Sequence, residues 1–160
     1  MQLKDHKKVA IVTDSSVCLP PSLVQEYDIH IIPFQLLWGG KAYRDGEDIT
    51  PSEFFQRLGQ DGESPTTAQP LPESFADMYE RVAQEAESIL SIHIPESLST
   101  TIQVARLMAR KAPVPVHVMG ADTAGPGLGL VALAAARAAR AGAPLRQVSA
   151  VAKTCSQRVG

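Results

Sequence analysis

Apolar and polar positions alternate along this chain between two periods, and the switches between them outline its elements. Lys8-Val9-Ala10-Ile11-Val12-Thr13 is a β-branched run that reads as a buried first strand, ending at Asp14-Ser15-Ser16. A helix is expected after Pro20-Pro21, closing near Tyr27, and Ile29-His30-Ile31-Ile32 is a second strand stopped by Pro33. Residues 34–38 and 41–44 flank Gly39-Gly40, the signal of a tight hairpin. Thr50-Pro51-Ser52-Glu53 announces a helix with a capping box, and Phe54 and Leu58 are expected on its buried stripe. Residues 61–71 read as a polar loop. Phe75, Met78, Tyr79 and Val82 then recur at helical spacing.

The second half repeats the rhythm. Leu90, Ile92 and Ile94 share one face of a third strand, and Leu98, Ile102, Ala105 and Met108 are expected on one face of the helix after it. Val116-His117-Val118-Met119 is a fourth strand. An alanine-rich helix and a last helix starting near Pro144 complete the chain. Strands alternating with helices predict an α/β fold, a parallel-sheet α/β/α sandwich carrying one β-hairpin. Ligands of such sheets sit at the carboxyl ends of the strands.

Composition narrows the function classes. The 160 residues suit one domain spanning 1–160, and 44% hydrophobic with 20% charged residues describes a globular chain. A net charge of −2 gives no basic face for nucleic acid. The opening six residues lack a secretory apolar run, and no apolar stretch is long enough for stable membrane insertion, so the expected location is cytoplasmic. Cys18 and Cys155 form no metal or redox spacing, and the four histidines show no ligand spacing. His30 and His93 read as satisfied sheet residues. No nucleophile elbow, P-loop or dinucleotide fingerprint is present, so no catalytic residue, metal or cofactor is expected.

The informative residues are hydroxyl-rich loops: Asp14-Ser15-Ser16, Pro65-Thr66-Thr67-Ala68-Gln69-Pro70, Ser97-Leu98-Ser99-Thr100-Thr101 and Asp122-Thr123-Ala124-Gly125. Three follow strands of one parallel sheet and precede helices, whose free N–H groups favour an anion. Each loop taken alone also has a purely structural reading. Asp14 caps, Thr100 with Gln103 forms a capping box, and Asp122 turns the chain. An enzyme related to phosphotransferases, using Asp14 or Asp122 with the hydroxyls as a phosphate cradle, is the alternative function, and an interaction module is the third.

Taken in order, Val9-Ala10-Ile11-Val12-Thr13-Asp14-Ser15-Ser16, Tyr43-Arg44-Asp45-Gly46-Glu47-Asp48-Ile49, the Pro65-Thr66-Thr67-Ala68-Gln69-Pro70 loop, residues 94–105 and Asp122 with Gly127-Leu128-Gly129 resemble the DegV family of bacterial fatty-acid-binding proteins. The resemblance implies a long-chain fatty acid whose carboxylate is held by the Thr67 and Ser99 hydroxyls. Gln69, Thr101, Asp14, Ser15 and Asp122 would support them. It also implies presentation of the lipid to a separate fatty acid kinase. The chain departs from the pattern at Ala68, Thr100 and Leu71, where the family commonly has serine, glycine and a capping serine. Family members continue into a second, tunnel-closing domain that donates a histidine. The expectation is therefore a DegV-like N-terminal domain with that second domain absent, half a tunnel, and an apolar face open to homodimerisation. A sixteen-carbon tail contributes on the order of 12 kcal/mol before binding costs, against roughly 1.5–3 kcal/mol per hydroxyl on the carboxylate. Half a tunnel implies weak retention.

Overall fold

A computed structural model describes residues 7–60, 62 and 64–160. The opening hexapeptide and two positions of the expected 61–71 loop lie outside the described residues. The central sheet is four-stranded and wholly parallel, in the order β2-β1-β6-β7, with β1 Ala10–Asp14, β2 Ile29–Ile32, β6 Ile89–His93 and β7 Val116–Gly120. Every residue of β1 and β6 is buried, as continuous apolar runs in a sheet covered on both faces require.

Alternation along those two central strands sorts the core into two layers. Ile11, Leu90 and Ile92 face one layer, filled by Val131, Ala132, Ala135 and Ala136 of α5 (Pro126–Arg140) and by Val148 and Ala152 of α6 (Leu145–Val159). Ala10, Val12 and Ile89 face the other, filled by Phe75, Met78, Tyr79 and Val82 of α3 (Pro72–Ala83) and Ala105 of α4 (Thr101–Ala109). The small side chains of α5 let it lie close to the loop after β1. A Cβ on Gly129 would stand 2.9 Å from the Cys18 carbonyl oxygen, so this position requires glycine for its close approach.

A second, three-stranded antiparallel sheet, ordered β4-β3-β5 with β5 at Thr66–Ala68, stands beside the first. Its hairpin joins β3 (Gln35–Trp38) to β4 (Lys41–Arg44) through Gly39 and Gly40, whose φ values of 56° and 73° are those of a tight two-residue turn. Leu36, Trp38 and Ile49 form a small core of their own under Phe54 and Tyr43. The helix α2 (Pro51–Leu58) starts with the expected capping box: Thr50 accepts from the Glu53 N–H, and Glu53 accepts from the Thr50 N–H at 2.8 Å. The helix α1 (Pro21–Glu26) links β1 to β2. Among the described residues no helix is long and apolar enough to cross a membrane.

Four expectations change. Residues 66–68 are not loop but β5 (Thr66–Ala68), paired antiparallel with β3. The helix α2 buries no residue fully: Phe54 is half-buried against Trp38, and Leu58 is exposed, because this helix covers only a three-stranded sheet. Leu98 precedes α4 and is 66% exposed, so it leaves the stripe that Ile102 and Ala105 form. Thr100 stands at the α4 N-cap without capping it. Its hydroxyl donates to the Gln69 side-chain oxygen instead.

Two predictions follow from local energetics. Leu71, 51% exposed, occupies the N-cap of α3 and makes no side-chain cap bond. Leu71→Ser should stabilise the chain by about 0.5–1 kcal/mol, read as a rise in the urea midpoint at unchanged m. Half-buried His30 in β2 has its pKa lowered from 6.5 to about 4, first by burial and then by Lys7 and Arg81. The unfolded chain therefore binds a proton between these values that the folded chain refuses. That stability is fully present above pH 6.5 and falls away as pH drops towards 4, by at most about 3 kcal/mol. Urea midpoints measured from pH 7 to 4 should show this slope, and His30→Gln should flatten it.

Candidate functional site

Because β1, β6 and β7 run parallel, the loops that leave their carboxyl ends emerge on one side of the sheet, where β5 of the second sheet also arrives. Between the loop after β6 and the end of β5 lies a groove of about 600 Å³. It is lined by Phe34, Thr67, Ala68, Gln69, Ile94, Glu96, Ser97, Leu98, Ser99 and Thr100. Thr67 and Ser99, drawn from different sheets, line the same groove. Gln69 lies there with them, joined to Thr100 across it.

The Ser99 hydroxyl is held rather than free to rotate. It accepts from the Thr101 N–H at 3.2 Å and shares a 2.7 Å hydrogen bond with the Thr101 hydroxyl. Ser99 thereby does the capping that Thr100 does not, and satisfies one of the orphan N–H groups at the start of α4. Thr101 is fully buried behind Ser99 and supports it without lining the groove. Thr67 is exposed, opposite Leu36 in the β3–β5 pairing. Ala68, where a hydroxyl was expected by resemblance, leaves a methyl group in the wall.

The charge around the groove is unusual for an anion site. None of the lining residues is basic, and the one charged member, Glu96, is engaged by the Arg106 guanidinium outside the lining. An anion placed here would meet only neutral donors and the start of α4. Phe34, Ile94 and Leu98 supply apolar surface beside those donors. The chemistry offered is recognition of a weakly charged polar head next to an apolar body. Among the described residues, no three of His, Cys, Asp and Glu gather in a metal-binding group.

The other expected site residues lie outside the groove lining, and Ser15 and Asp14 hold it from behind. Ser15 donates to Asp45 at 2.8 Å and accepts the Phe34 N–H at 3.0 Å, fastening the base of the second sheet to the end of β1. Asp14 is fully buried. One of its oxygens accepts from the Ser16 N–H at 3.1 Å and from the Ser16 hydroxyl; the other accepts from His93 Nδ1 at 2.9 Å and the Ile94 N–H at 3.2 Å. Asp122 points the other way: its N–H donates to Ser156 Oγ at 2.7 Å and its carboxylate accepts from that hydroxyl at 3.1 Å, tying the exit of β7 to the last turns of α6. His93 is satisfied within the sheet, as its strand position suggested. Its partner Asp14 is 79 residues away, a pairing that no local pattern carries. The period of the strands that contain or adjoin Phe34 and Ile94 gives no sign that these two residues line a groove.

Residues 8–159 match the model of the DegV family, described as uncharacterised proteins. A DegV domain-containing protein of Streptomyces coelicolor is 39% identical over 137 residues, 85% of this chain and 48% of its own length. One from Lactococcus lactis is 34% identical over 140 residues, 88% of this chain and 50% of its own. The chain thus spans about half the length of these relatives. Among solved structures, a DegV family protein from Thermus thermophilus, described for its fatty acid binding, superposes with a TM-score of 0.84 at 36% identity, covering 94% of this chain and 54% of that one. A Thermotoga maritima protein described as revealing fatty acid binding function gives 0.83 at 30% identity, covering 96% of this chain and 55% of that one. A stearic acid-binding protein from Eubacterium ventriosum gives 0.80 at 25% identity, with 89% and 51% covered. By the match of the family model across nearly its whole length, together with these relatives and structures, the chain belongs to the DegV family.

Proposed function

We propose that this chain binds a long-chain fatty acid, with the carboxylate between the Thr67 and Ser99 hydroxyls and the first methylenes against Ile94, Leu98 and Phe34. The observation that carries this reading is that those two hydroxyls, from separate sheets, line one groove beside apolar side chains. Fatty acid binding by similar proteins from Thermus thermophilus, Thermotoga maritima and Eubacterium ventriosum supports it. The role is that of a binding protein presenting its lipid to a separate fatty acid kinase. The phosphotransferase alternative loses its support: Asp14 is buried with its oxygens taken by four donors, Asp122 is turned to Ser156, and neither lines the groove.

Energetics favour the tail. Neutral hydroxyls on a carboxylate contribute roughly 1.5–3 kcal/mol each, whereas each buried methylene adds about 0.8 kcal/mol. The groove is open and its apolar part short, so this chain by itself buries only the start of a tail. A second body is required to cover the rest. The relatives are about twice as long as this chain, and that extra length, or a second copy meeting the same face, would supply one.

Titrating the 15N-labelled chain with dodecanoate should shift the amide signals of Thr67, Ser99 and Thr101 with weak, fast-exchange behaviour. Thr67→Ala, at an exposed position, should weaken binding about ten- to a hundredfold without moving the unfolding midpoint. Ser99→Ala should weaken it similarly and also cost about 1 kcal/mol of stability through the lost cap at α4. Shifts confined to residues outside the groove would refute the assignment. Mass spectrometry of a denatured extract should find little co-purified fatty acid on this chain, and stoichiometric lipid would contradict the half-covered tail.

A further inference from the structure

Behind the groove, inside the α3 layer of the core, four polar side chains run in a line where an apolar set would have filled the same space. The Tyr79 hydroxyl is 2.8 Å from Ser91 Oγ, Ser91 Oγ is 2.7 Å from His93 Nε2, and His93 Nδ1 is 2.9 Å from Asp14 Oδ2. All four residues are 0% exposed. The Phe75 ring meets the imidazole edge-on at 5.3 Å and fixes its plane.

One order of the hydrogens gives every group along this line a partner. Burial pushes the Tyr79 hydroxyl up to about 12, so it keeps its proton, and with Ser91 as its hydrogen-bond partner it donates there. Ser91 accepts from Tyr79 and spends its own hydrogen on His93 Nε2. His93 therefore carries its hydrogen on Nδ1 and donates it to Asp14. Reversing the order would leave the buried Tyr79 hydrogen without an acceptor, because Ser91 is its hydrogen-bond partner among the described residues.

The line ends on main-chain groups at the groove. The Asp14 oxygen that receives His93 also receives the N–H of Ile94, itself a lining residue and the start of the loop that carries Ser99. The other oxygen holds Ser16, and the adjacent Ser15 holds the N–H of Phe34, a second lining residue. We propose that Tyr79, Ser91 and His93 are positioning residues of the groove: acting through Asp14, they set where the Ile94 loop stands relative to β1, and so the distance across which Ser99 and Thr67 face one another. This rests on the fatty-acid reading above for its ligand, though not for its geometry. A buried polar chain is weak evidence for stability by itself, since well-packed apolar replacements are often as stable. Its function here is to specify one placement of the loop.

The test uses Tyr79→Phe, which removes one hydroxyl and keeps the ring packing, and Ser91→Ala, which breaks the line one step closer to His93. In both variants dodecanoate should bind about three- to tenfold more weakly, the scale of one hydrogen bond. The amides of Ile94 and Ser16 should exchange with solvent at least about threefold faster, with far residues such as Leu133 unchanged. In the unaltered chain, the His93 imidazole signals should move on adding dodecanoate, a response that a purely structural role would not produce. If either variant folds with unaltered affinity, unaltered Ile94 and Ser16 exchange and ligand-insensitive His93 signals, the proposal is overturned. If the unaltered chain binds no dodecanoate, the fatty-acid reading fails. The exchange rates at Ile94 and Ser16 then decide the positioning claim by themselves: acceleration supports it, and unchanged rates overturn it.

Discussion

Everything at the strand ends hangs on a carboxylate that has no water to go to. Asp14 is fully buried at the end of β1, and an uncompensated charge there would cost several kcal/mol. It is kept by four donors from three directions: Ser16 twice, the His93 ring and the Ile94 N–H. That demand constrains the sheet. With Thr13 beside Ile92, the β1–β6 register brings Asp14 level with His93 and Ile94. Slipping one strand by a single residue would put His93 on the opposite face and leave the carboxylate without its partner. The register of the two central strands is thus specified by a polar contact as well as by apolar packing.

The same residue explains why the second sheet is where it is. Its neighbour Ser15 spans from Asp45, after β4, to the N–H of Phe34, before β3. Among the described residues the hairpin sheet has a core of three buried apolar residues, which is small for independent stability. Its attachment to the large sheet runs through this serine and through the Gln69–Thr100 bridge across the groove. The groove is therefore the seam between two sheets, and its walls belong to units held in register by side chains at the β1 exit.

How much of this was legible in the sequence depended on the range of the interactions involved. Phe75, Met78, Tyr79 and Val82 are all buried as their spacing required, and the Thr50–Glu53 capping box forms, because both patterns are written within a turn or two of helix. The two positive-φ glycines of the hairpin are likewise local. The strand β5 was missed because its three residues, Thr66, Thr67 and Ala68, are polar or small and largely exposed, and its pairing partner lies thirty residues earlier. Leu98 matched a helical stripe by spacing, yet Pro95 and the Ser99 cap delay the helix until Thr101. Of the candidate site, Thr67, Ser99 and Gln69 could be named from their loops by resemblance. Resemblance also names Asp14, Ser15 and Asp122 as supporting residues, but the contacts by which Asp14 and Ser15 hold the groove walls, and the turn of Asp122 towards Ser156, join distant parts of the chain and follow from no local pattern.

The composition of the groove makes sense of its exposed leucine. An anion held by lysine or arginine could be bound on charge alone, but here no lining residue is basic and Glu96 is already paired with Arg106. Under the fatty-acid reading, the hydroxyls orient the head and the apolar surface carries the affinity. A large apolar side chain must then stand open to solvent until the tail arrives. Leu98 is 66% exposed within a loop whose two ends are fixed, at Ile94 by Asp14 and at Ser99 by Thr101. A leucine on a loose loop would collapse onto its surroundings. Under that reading, holding it out over the groove requires anchored ends, and the buried polar network beneath the loop supplies one of them.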